Sequence, residues 1–320
     1  MVMQAAARYL MMIGARSAGS PYEIGGIEPV AVWDFDAGVF SAAPSVSRAA
    51  PTYGFDAAGR FVLSPADSLR LDARGALSCA VIEDAATNLL RYAVADLGAG
   101  WSANGASTSP RVLGALGLFP GVGVRSNGAI WHRLIHSDEP AVQVGATYHL
   151  SAFVCLDAVG KVLVTLRNMA AGVESRVELV PGSTQMLGTG AGSLSGAGLR
   201  DLEVDGVHRV DLDFTANFNG TLSVGFGPGS AVSGDEITML GAQIEVGPAR
   251  SSFIASAGAA MYRPPDLMDW KAPAGIWDMR VVGADGAVSD TPAISVTDGQ
   301  IPHGLPFAPA RVLLYPAGTL

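Results

Sequence analysis

The feature that most constrains the fold is the alternation of apolar and polar side chains in the middle of the chain. A period of two places alternate side chains on opposite faces of a strand, whereas a helix needs a period near 3.6. Helical periodicity is almost absent, so we predict an all-β chain with an antiparallel β-sandwich. The alternating runs are Tyr148 to Leu156, Val162 to Leu166, Val177 to Leu179, Val210 to Phe214 and Leu222 to Phe226.

One part of this region lacks the alternation. From Gly182 to Leu199 the chain is rich in glycine and serine. Such a composition is typical of flexible connections. We therefore predict a long mobile loop there.

Two segments flank the alternating region. Residues 80–83 predict a short strand, and the polar turn after it holds Asn88, whose side chain can bond nearby backbone. Residues 240–245 place one amide, Gln243, among small and apolar neighbours, and residues 251–254 follow. The stretch between the flanking segments has the length of one β-sandwich domain. We expect the two segments to meet and close that domain.

These segments carry a family resemblance. The opening IEDAATNLL and the closing LGAQIEVGPARSSFIAS resemble the segments LLIEEARTNLL and GAQLEEGSFPTSYIPT, which bound a jelly roll in many phage head-spike and tail-fibre proteins. The lead-in from Arg48 to Arg60 also resembles that family's R-x-x-x-A-T-Y-x-D-x-x-G pattern. Ala86 stands where the family usually has arginine, and Ser-Ser-Phe-Ile-Ala replaces Thr-Ser-Tyr-Ile-Pro at 251–255. The resemblance covers roughly residues 45 to 265.

The resemblance implies a role as well as a fold. It implies a subunit on the surface of a phage or of a phage-like gene transfer agent. Its jelly roll would bind a host surface glycan, such as capsular polysaccharide, without cutting it. Two alternatives stay open: a purely structural spike-base or decoration protein, and an accessory sandwich of a polysaccharide-degrading enzyme.

Net charge and composition restrict the classes of molecule that we expect this chain to bind. The net charge is −9, which disfavours a nucleic-acid partner. Hydrophobic residues make up 49% of the chain and charged ones only 15%, an imbalance that favours burial between subunits. We expect a homo-oligomer, taken as a trimer.

The two cysteines, Cys79 and Cys155, are expected to be small buried side chains; a single disulfide between them is the alternative.

The ends of the chain predict flanking pieces around the sandwich. The expected division is an N-terminal docking arm at 1–44, the jelly roll at 45–265 and a small C-terminal β-domain at 266–320. Residues 1–13 are apolar except for Gln4 and Arg8. They match neither a signal peptide nor a membrane span. We therefore expect synthesis in the cytoplasm, no membrane insertion, and docking of the arm on other virion proteins.

A tryptophan–aspartate pair occurs near each end of the chain. Trp33-Asp34 and Trp277-Asp278 each lie in a strand-like segment. We expect the two segments to share one small sheet that joins the ends.

The sequence gives little support for catalysis, and we predict no enzyme. Asp211 and Asp213 would share a strand face about 6.7 Å apart. That spacing formally suits a glycosidase, but a solvated strand face is the simpler interpretation. No cofactor and no transition-metal spacing is expected. A structural calcium at Asp138-Glu139-Pro140 or Gly234-Asp235-Glu236 is the one alternative kept open.

Four residues are predicted to contact a carbohydrate. Aromatic rings stack on the apolar faces of sugars, and planar donors recognise hydroxyl groups. Trp101 lies in a glycine-rich loop, Trp131 and Arg133 in a predicted strand from Ile130 to Ile135, and His208 before another strand. For both Trp131 and Trp101 a place in the core is the competing interpretation.

The apolar N-terminal arm gives the first testable prediction. Deleting residues 1–20 is expected to weaken assembly without lowering the melting temperature of the main domain, because the arm would contact another chain. Analytical ultracentrifugation and thermal unfolding measure the two effects. A deletion that changes neither assembly nor solubility would contradict the docking role.

Overall fold

The computed structural model describes residues 20–48, 52–55, 61–72, 76–112, 120–136, 140–202, 206–247, 251–301, 305 and 308–320. Residues 1–19 of the predicted docking arm at 1–44 lie outside these ranges. Within them, no helix has the length and apolar character needed to cross a membrane.

The described residues form β-strands, which are numbered in chain order. The first group is β1 (Ala31–Asp34), β2 (Val39–Phe40), β3 (Ser45–Ser47), β4 (Thr52–Phe55), β5 (Phe61–Ser64), β6 (Leu71–Asp72), β7 (Cys79–Ala80), β8 (Ala86–Asn88) and β9 (Trp101–Asn104). The second is β10 (Ser107–Val112), β11 (Pro120–Arg125), β12 (Arg133–His136), β13 (Ala141–Val142), β14 (Thr147–Leu156), β15 (Val162–Asn168), β16 (Val173–Val180), β17 (Ser183–Thr189) and β18 (Gly192–Asp201). The third is β19 (Val207–Ala216), β20 (Gly220–Gly227), β21 (Glu236–Val246), β22 (Met261–Arg263), β23 (Leu267–Asp269), β24 (Gly275–Gly283), β25 (Val288–Val296) and β26 (Pro309–Pro316).

Two antiparallel sheets form the central sandwich. One has six strands in the order β10-β11-β21-β14-β19-β18. The other has seven, in the order β17-β16-β15-β20-β12-β9, with β13 paired to β20. The predicted all-β, antiparallel sandwich is confirmed.

The core lies between these sheets and is filled by the alternating residues. Leu150, Val210 and Leu212 of the six-stranded sheet are buried in the same apolar cluster as Val164 and Val224 of the seven-stranded sheet. Burying each such side chain is worth about 1.5–3 kcal/mol. The period-two pattern therefore identifies the inward side of each long strand correctly.

The predicted loop from Gly182 to Leu199 is wrong. Strands β17 and β18 occupy it, each at an edge of its sheet. Its glycines permit close packing: a Cβ on Gly192, where φ is +152°, would lie 2.2 Å from the carbonyl oxygen of Thr215. Composition does not show which backbone groups pair, so it favours a loop where β17 pairs with β16 in one sheet and β18 pairs with β19 in the other.

A third, five-stranded sheet joins the two ends of the chain, in the order β2-β1-β26-β24-β25. Trp33 on β1 and Trp277 on β24 both lie in it, as predicted. Parts of the expected N-terminal arm and of the expected C-terminal domain thus pair directly.

Asp34 accepts hydrogen bonds from Tyr22 and Arg311. Burial and the bond to Asp34 raise the pKa of Tyr22 to about 12.

The predicted meeting of the flanking segments is confirmed at two buried amides. Asn88 Nδ2 donates to the carbonyl of Ile254 (3.0 Å), and its Oδ1 accepts from the backbone amides of Leu90 and Ile244 (3.1 Å each). Gln243 Oε1 accepts from the amide of Ile254 (2.8 Å). The strand expected at 80–83 is displaced, because β7 ends at Ala80 and β8 covers 86–88.

A buried ion cluster lies beside this junction. Glu83 pairs with Arg70 and Arg263, and Asp266 pairs with Arg48 (2.8 Å). Burial alone would raise the pKa of Glu83, but the two arginines outweigh it and hold the pKa below its ordinary value. Arg263 lies opposite position 86 in the pairing of β22 with β8.

The junction predicts a large cost for losing one amide. Asn88→Ala leaves three buried backbone groups without partners and is expected to lower the free energy of unfolding by about 3 kcal/mol. Chemical denaturation measures the change. Asn219→Ala is the control, because Asn219 accepts one exposed backbone bond, from Val144; it should cost less than about 1 kcal/mol. Equal losses in the two variants would contradict the role given to Asn88.

Candidate functional site

The outer face of the seven-stranded sheet carries an unusual set of polar side chains. On β15, Val164 and Leu166 point into the core, so Thr165 and Arg167 point away from it. On β16 the inward Val177 places Arg176 on the same outer face, with Glu174 two residues before it. Charged residues therefore lie on neighbouring strands of one open sheet face.

Arg133 of β12 crosses this face because Gly225 has no side chain. Gly225 pairs with Ile135 on one side and Thr165 on the other. A Cβ on Gly225 would lie 2.7 Å from Cδ of Arg133. With that space empty, Arg133 extends over β20 and β15, and its Nη2 lies 2.8 Å from Oε1 of Glu174 on β16. A glycine in the middle of a strand thus permits a side chain to approach closely.

Three arginines surround this single carboxylate. Arg167 lies 3.7 Å and Arg176 4.0 Å from Glu174, too far for hydrogen bonds. Their side chains are 38% and 33% exposed, whereas Arg133 is buried. The surface made by Arg133, Thr165, Arg167, Glu174, Arg176 and Gly225 is called the arginine face below.

The arginine face has hydrogen-bonding capacity that the described residues do not use. Nε of Arg133, Nε of Arg167 and the hydroxyl of Thr165 are buried without a partner among those residues. Buried polar atoms are normally paired, since leaving one unpaired costs about 1–3 kcal/mol. These three atoms are buried, so the donors of the arginine face that a ligand can contact directly are the guanidiniums of Arg167 and Arg176.

Trp131 and Arg133 are separated by the start of a strand. The predicted strand from 130 to 135 begins only at Arg133, and Trp131 lies in the turn before it. Trp131 is 47% exposed, with its ring edge-on to His132. It is an exposed aromatic two residues before Arg133 in the chain, so the competing interpretation of a core residue is wrong.

Trp101 and His208 do not join this surface. Trp101 is 3% exposed, donates to the carbonyl of Tyr92 (2.9 Å) and packs against His136 in the core. Its predicted contact with a ligand is therefore wrong, because its ring faces the interior from the first residue of β9. His208 lies on β19 of the six-stranded sheet, where its Nδ1 is 2.9 Å from the carbonyl of Gly206.

Asp211 and Asp213 hold a buried histidine. His149 Nδ1 is 2.8 Å from Asp213 and its Nε2 is 3.2 Å from Asp211. Arg209 donates to the same Asp211 oxygen (2.8 Å). Burial alone would raise the pKa of Asp211, but the bond from His149 and the charge of Arg209 lower it to about 2. Glu245 lies opposite His149, and burial raises its pKa.

The suggested calcium sites are only partly described. Asp138 and Glu139 lie outside the described residues. Asp235 accepts a hydrogen bond from Ser230, and Glu236 pairs with Arg111 and Arg125. Within the described ranges no group of three or more histidine, cysteine or acidic residues is placed to hold a metal. No disulfide joins Cys79 to Cys155.

The sequence analysis missed most of the arginine face. Thr165, Arg167, Glu174, Arg176 and Gly225 were not predicted as site residues. One signal was available, because Arg167 directly follows the alternating run that ends at Leu166, and Glu174 and Arg176 come just before the run that begins at Val177. The order of strands in the sheet was not available, and that order brings residues of β12 and β16 together.

Comparisons with known proteins give only distant likenesses. No protein-family model and no curated protein matches the chain. Among solved structures, the xylan-binding CBM22-1 domain of Paenibacillus barcinonensis Xyn10C matches at 11% identity and a TM-score of 0.31, covering 51% of this chain and 94% of that domain. The arabinose-bound MgGH51 α-L-arabinofuranosidase matches at 13% and 0.33, covering 50% of this chain and 26% of that one. The family 11 carbohydrate-binding module of Clostridium thermocellum, in complex with a mixed-linked tetrasaccharide, matches at 13% and 0.18, covering 50% and 97%.

These values are low, so the fold class rests on this chain's own sheets. We draw no function from the likenesses. The resemblance to phage head-spike and tail-fibre proteins stays a prediction.

The environment of Asp211 predicts that the fold loses stability as the pH falls below about 4. The folded pKa is below the ordinary value of 3.8, so the carboxylate stabilises the fold above that pH. The contribution, about 2 kcal/mol, is lost as the pH falls from 3.8 towards about 2. Asp211→Asn should therefore lose stability at pH 6 and show a flatter decline below pH 4, measured by denaturation across pH. Asp96→Asn, in an exposed turn, is the control. An unchanged acid profile in Asp211→Asn would contradict the assignment.

Proposed function

We propose that the protein binds a glycan through the arginine face and Trp131, and does not cut it. The observation that carries this proposal is the pair of partly exposed guanidiniums, Arg167 and Arg176, which share the Glu174 carboxylate with Arg133. Sugar hydroxyls donate and accept hydrogen bonds, so they match a surface that offers both guanidinium donors and a carboxylate acceptor. Trp131 adds an exposed ring, and aromatic rings provide apolar contact at such sites.

The geometry of the acidic residues supports the non-catalytic part of the proposal. Asp211 and Asp213 lie on the six-stranded sheet, away from the arginine face, and both contact His149. A glycosidase acid needs a raised pKa so that it can protonate the leaving group. The pKa of Asp211 is shifted in the opposite direction. The pair thus has a structural use in holding His149.

The biological setting is proposed from the sequence resemblance. The opening and closing segments, which meet at Asn88 and Gln243, are those that resemble head-spike and tail-fibre proteins. We propose a homo-oligomeric subunit on the surface of a phage or gene-transfer-agent particle, docked to other virion proteins by residues 1–44. Its ligand would be a host-cell surface polysaccharide, such as a capsule.

A purely structural spike-base or decoration role is the second candidate. Two observations favour it: Trp101 is buried, and the third sheet exposes Ile276 and Val288. Exposed apolar side chains on neighbouring strands suit contact with another protein. Under this candidate the arginine face would contact a polar protein surface and no glycan would bind.

Binding assays with matched variants test the proposal. We expect the purified protein to bind members of a bacterial capsular polysaccharide array, and Trp131→Ala to weaken binding about tenfold or more. Gly225→Ala should also weaken it, because the new methyl group displaces Arg133 from Glu174. Gly198→Ala is the control, since Gly198 lies in a strand with open space around its Cβ position.

The outcomes separate the two candidates. Absence of binding across the array would overturn glycan binding and favour the structural role. Full binding by folded Trp131→Ala and Gly225→Ala would show that the glycan site lies elsewhere. Circular dichroism establishes whether each variant is folded.

A further inference from the structure

The arginine face carries more positive charge than its own residues neutralise. Among the residues that the structure describes, Arg133, Arg167 and Arg176 share one carboxylate, that of Glu174, which leaves an excess of two positive charges. The nearby Glu178 adds no further neutralisation, because Lys161 pairs with it at 2.8 Å. The chain as a whole has a net charge of −9, so this local excess opposes the overall balance.

The excess is concentrated on the two exposed arginines. Glu174 bonds directly to Arg133, and its distances of 3.7 Å to Arg167 and 4.0 Å to Arg176 leave both guanidiniums without a short ionic bond to it. Arg167 faces Glu174 across the pairing of β15 with β16, and Arg176 faces Thr165 in the same pairing. The two guanidiniums therefore flank one area of the sheet, next to the unpaired hydroxyl of Thr165.

Guanidinium groups select a particular ligand chemistry. Each presents a planar fork of donors that binds a carboxylate or a sulfate oxygen pair through charge-assisted hydrogen bonds. A neutral sugar leaves such a site with uncompensated charge, whereas an acidic sugar neutralises it. We propose that the glycan bound at the arginine face is acidic, with its anionic group held between Arg167 and Arg176; this inference rests on the proposed glycan-binding function.

The overall negative charge of the protein disfavours nonspecific binding of an acidic polymer. A chain of net charge −9 repels polyanions at long range, and this repulsion is screened beyond about 10 Å in 0.1 M salt. Tight binding of an acidic polymer then requires specific short-range contacts. Nonspecific attraction would not supply them.

The experiment compares acidic polymers with neutral counterparts. The probes are polygalacturonate and alginate, which carry carboxylates, dextran sulfate, which carries sulfates, and neutral dextran, together with every capsular polysaccharide that binds on the array. Each carboxylated polymer that binds is retested after its carboxyl groups are reduced to alcohols. We expect binding to at least one acidic polymer and a loss of tenfold or more on reduction or on exchange for the neutral polymer. The carboxylate and sulfate probes show which anionic group is preferred.

Two variants assign the preference to the site. Arg167→Gln and Arg176→Gln should each weaken binding of the acidic polymer about tenfold, since each removes a charge-assisted bond. Arg280→Gln is the matched control: Arg280 forms an ion pair with Asp290 in the third sheet, away from the arginine face. It should bind like the unaltered protein.

Each result has a defined meaning. Equal binding of acidic and reduced polymers, lost in Trp131→Ala, would overturn the acidic preference while keeping glycan binding. No binding to any polymer would overturn both proposals. A preference for acidic polymers that survives in Arg167→Gln and Arg176→Gln would overturn the assignment to this face.

Discussion

The rest of the structure depends on the ion pairs made by the largely buried carboxylate of Glu83. It pairs with Arg70 before it in the chain and Arg263 far after it, and it accepts from the backbone amide of Ser252. These contacts hold the residues around Arg70, the closing segment and the strand after it at one point. Removing one partner of a buried ion pair typically costs about 3–5 kcal/mol, because the other charge stays buried. The sandwich is therefore closed by a long-range contact that no local segment could supply.

That closure gives the two sheets different surroundings. The closing segment packs on the outer face of the six-stranded sheet, where Phe253 meets Phe153 with ring centres 5.4 Å apart. The seven-stranded sheet keeps Arg167 and Arg176 exposed on its own outer face. The proposed glycan-binding surface thus lies on the sheet that the closing segment does not cover.

Residue type alone does not decide which aromatic or arginine is exposed. Trp101 and Trp131 both follow glycine-containing stretches, yet one fills the core and the other is nearly half exposed. Arg133 was predicted from the sequence to contact a carbohydrate, but its ion pair with Glu174 was not predicted. Its side chain passes over Gly225 to a glutamate three strands away, and this path depends on which strands are neighbours. Pairing order is a long-range property, so a local pattern cannot reveal it.

The sequence by itself determined the all-β class, the inward residues of the long strands and the meeting of the flanking segments. Those properties follow from a period of two and from polar residues placed in apolar surroundings. Tertiary structure decided that residues 183–189 and 192–201 are strands, that Trp101 is buried, and that three arginines converge on Glu174. The physical reason is that strands distant in the chain come within side-chain reach only when the sheet has formed.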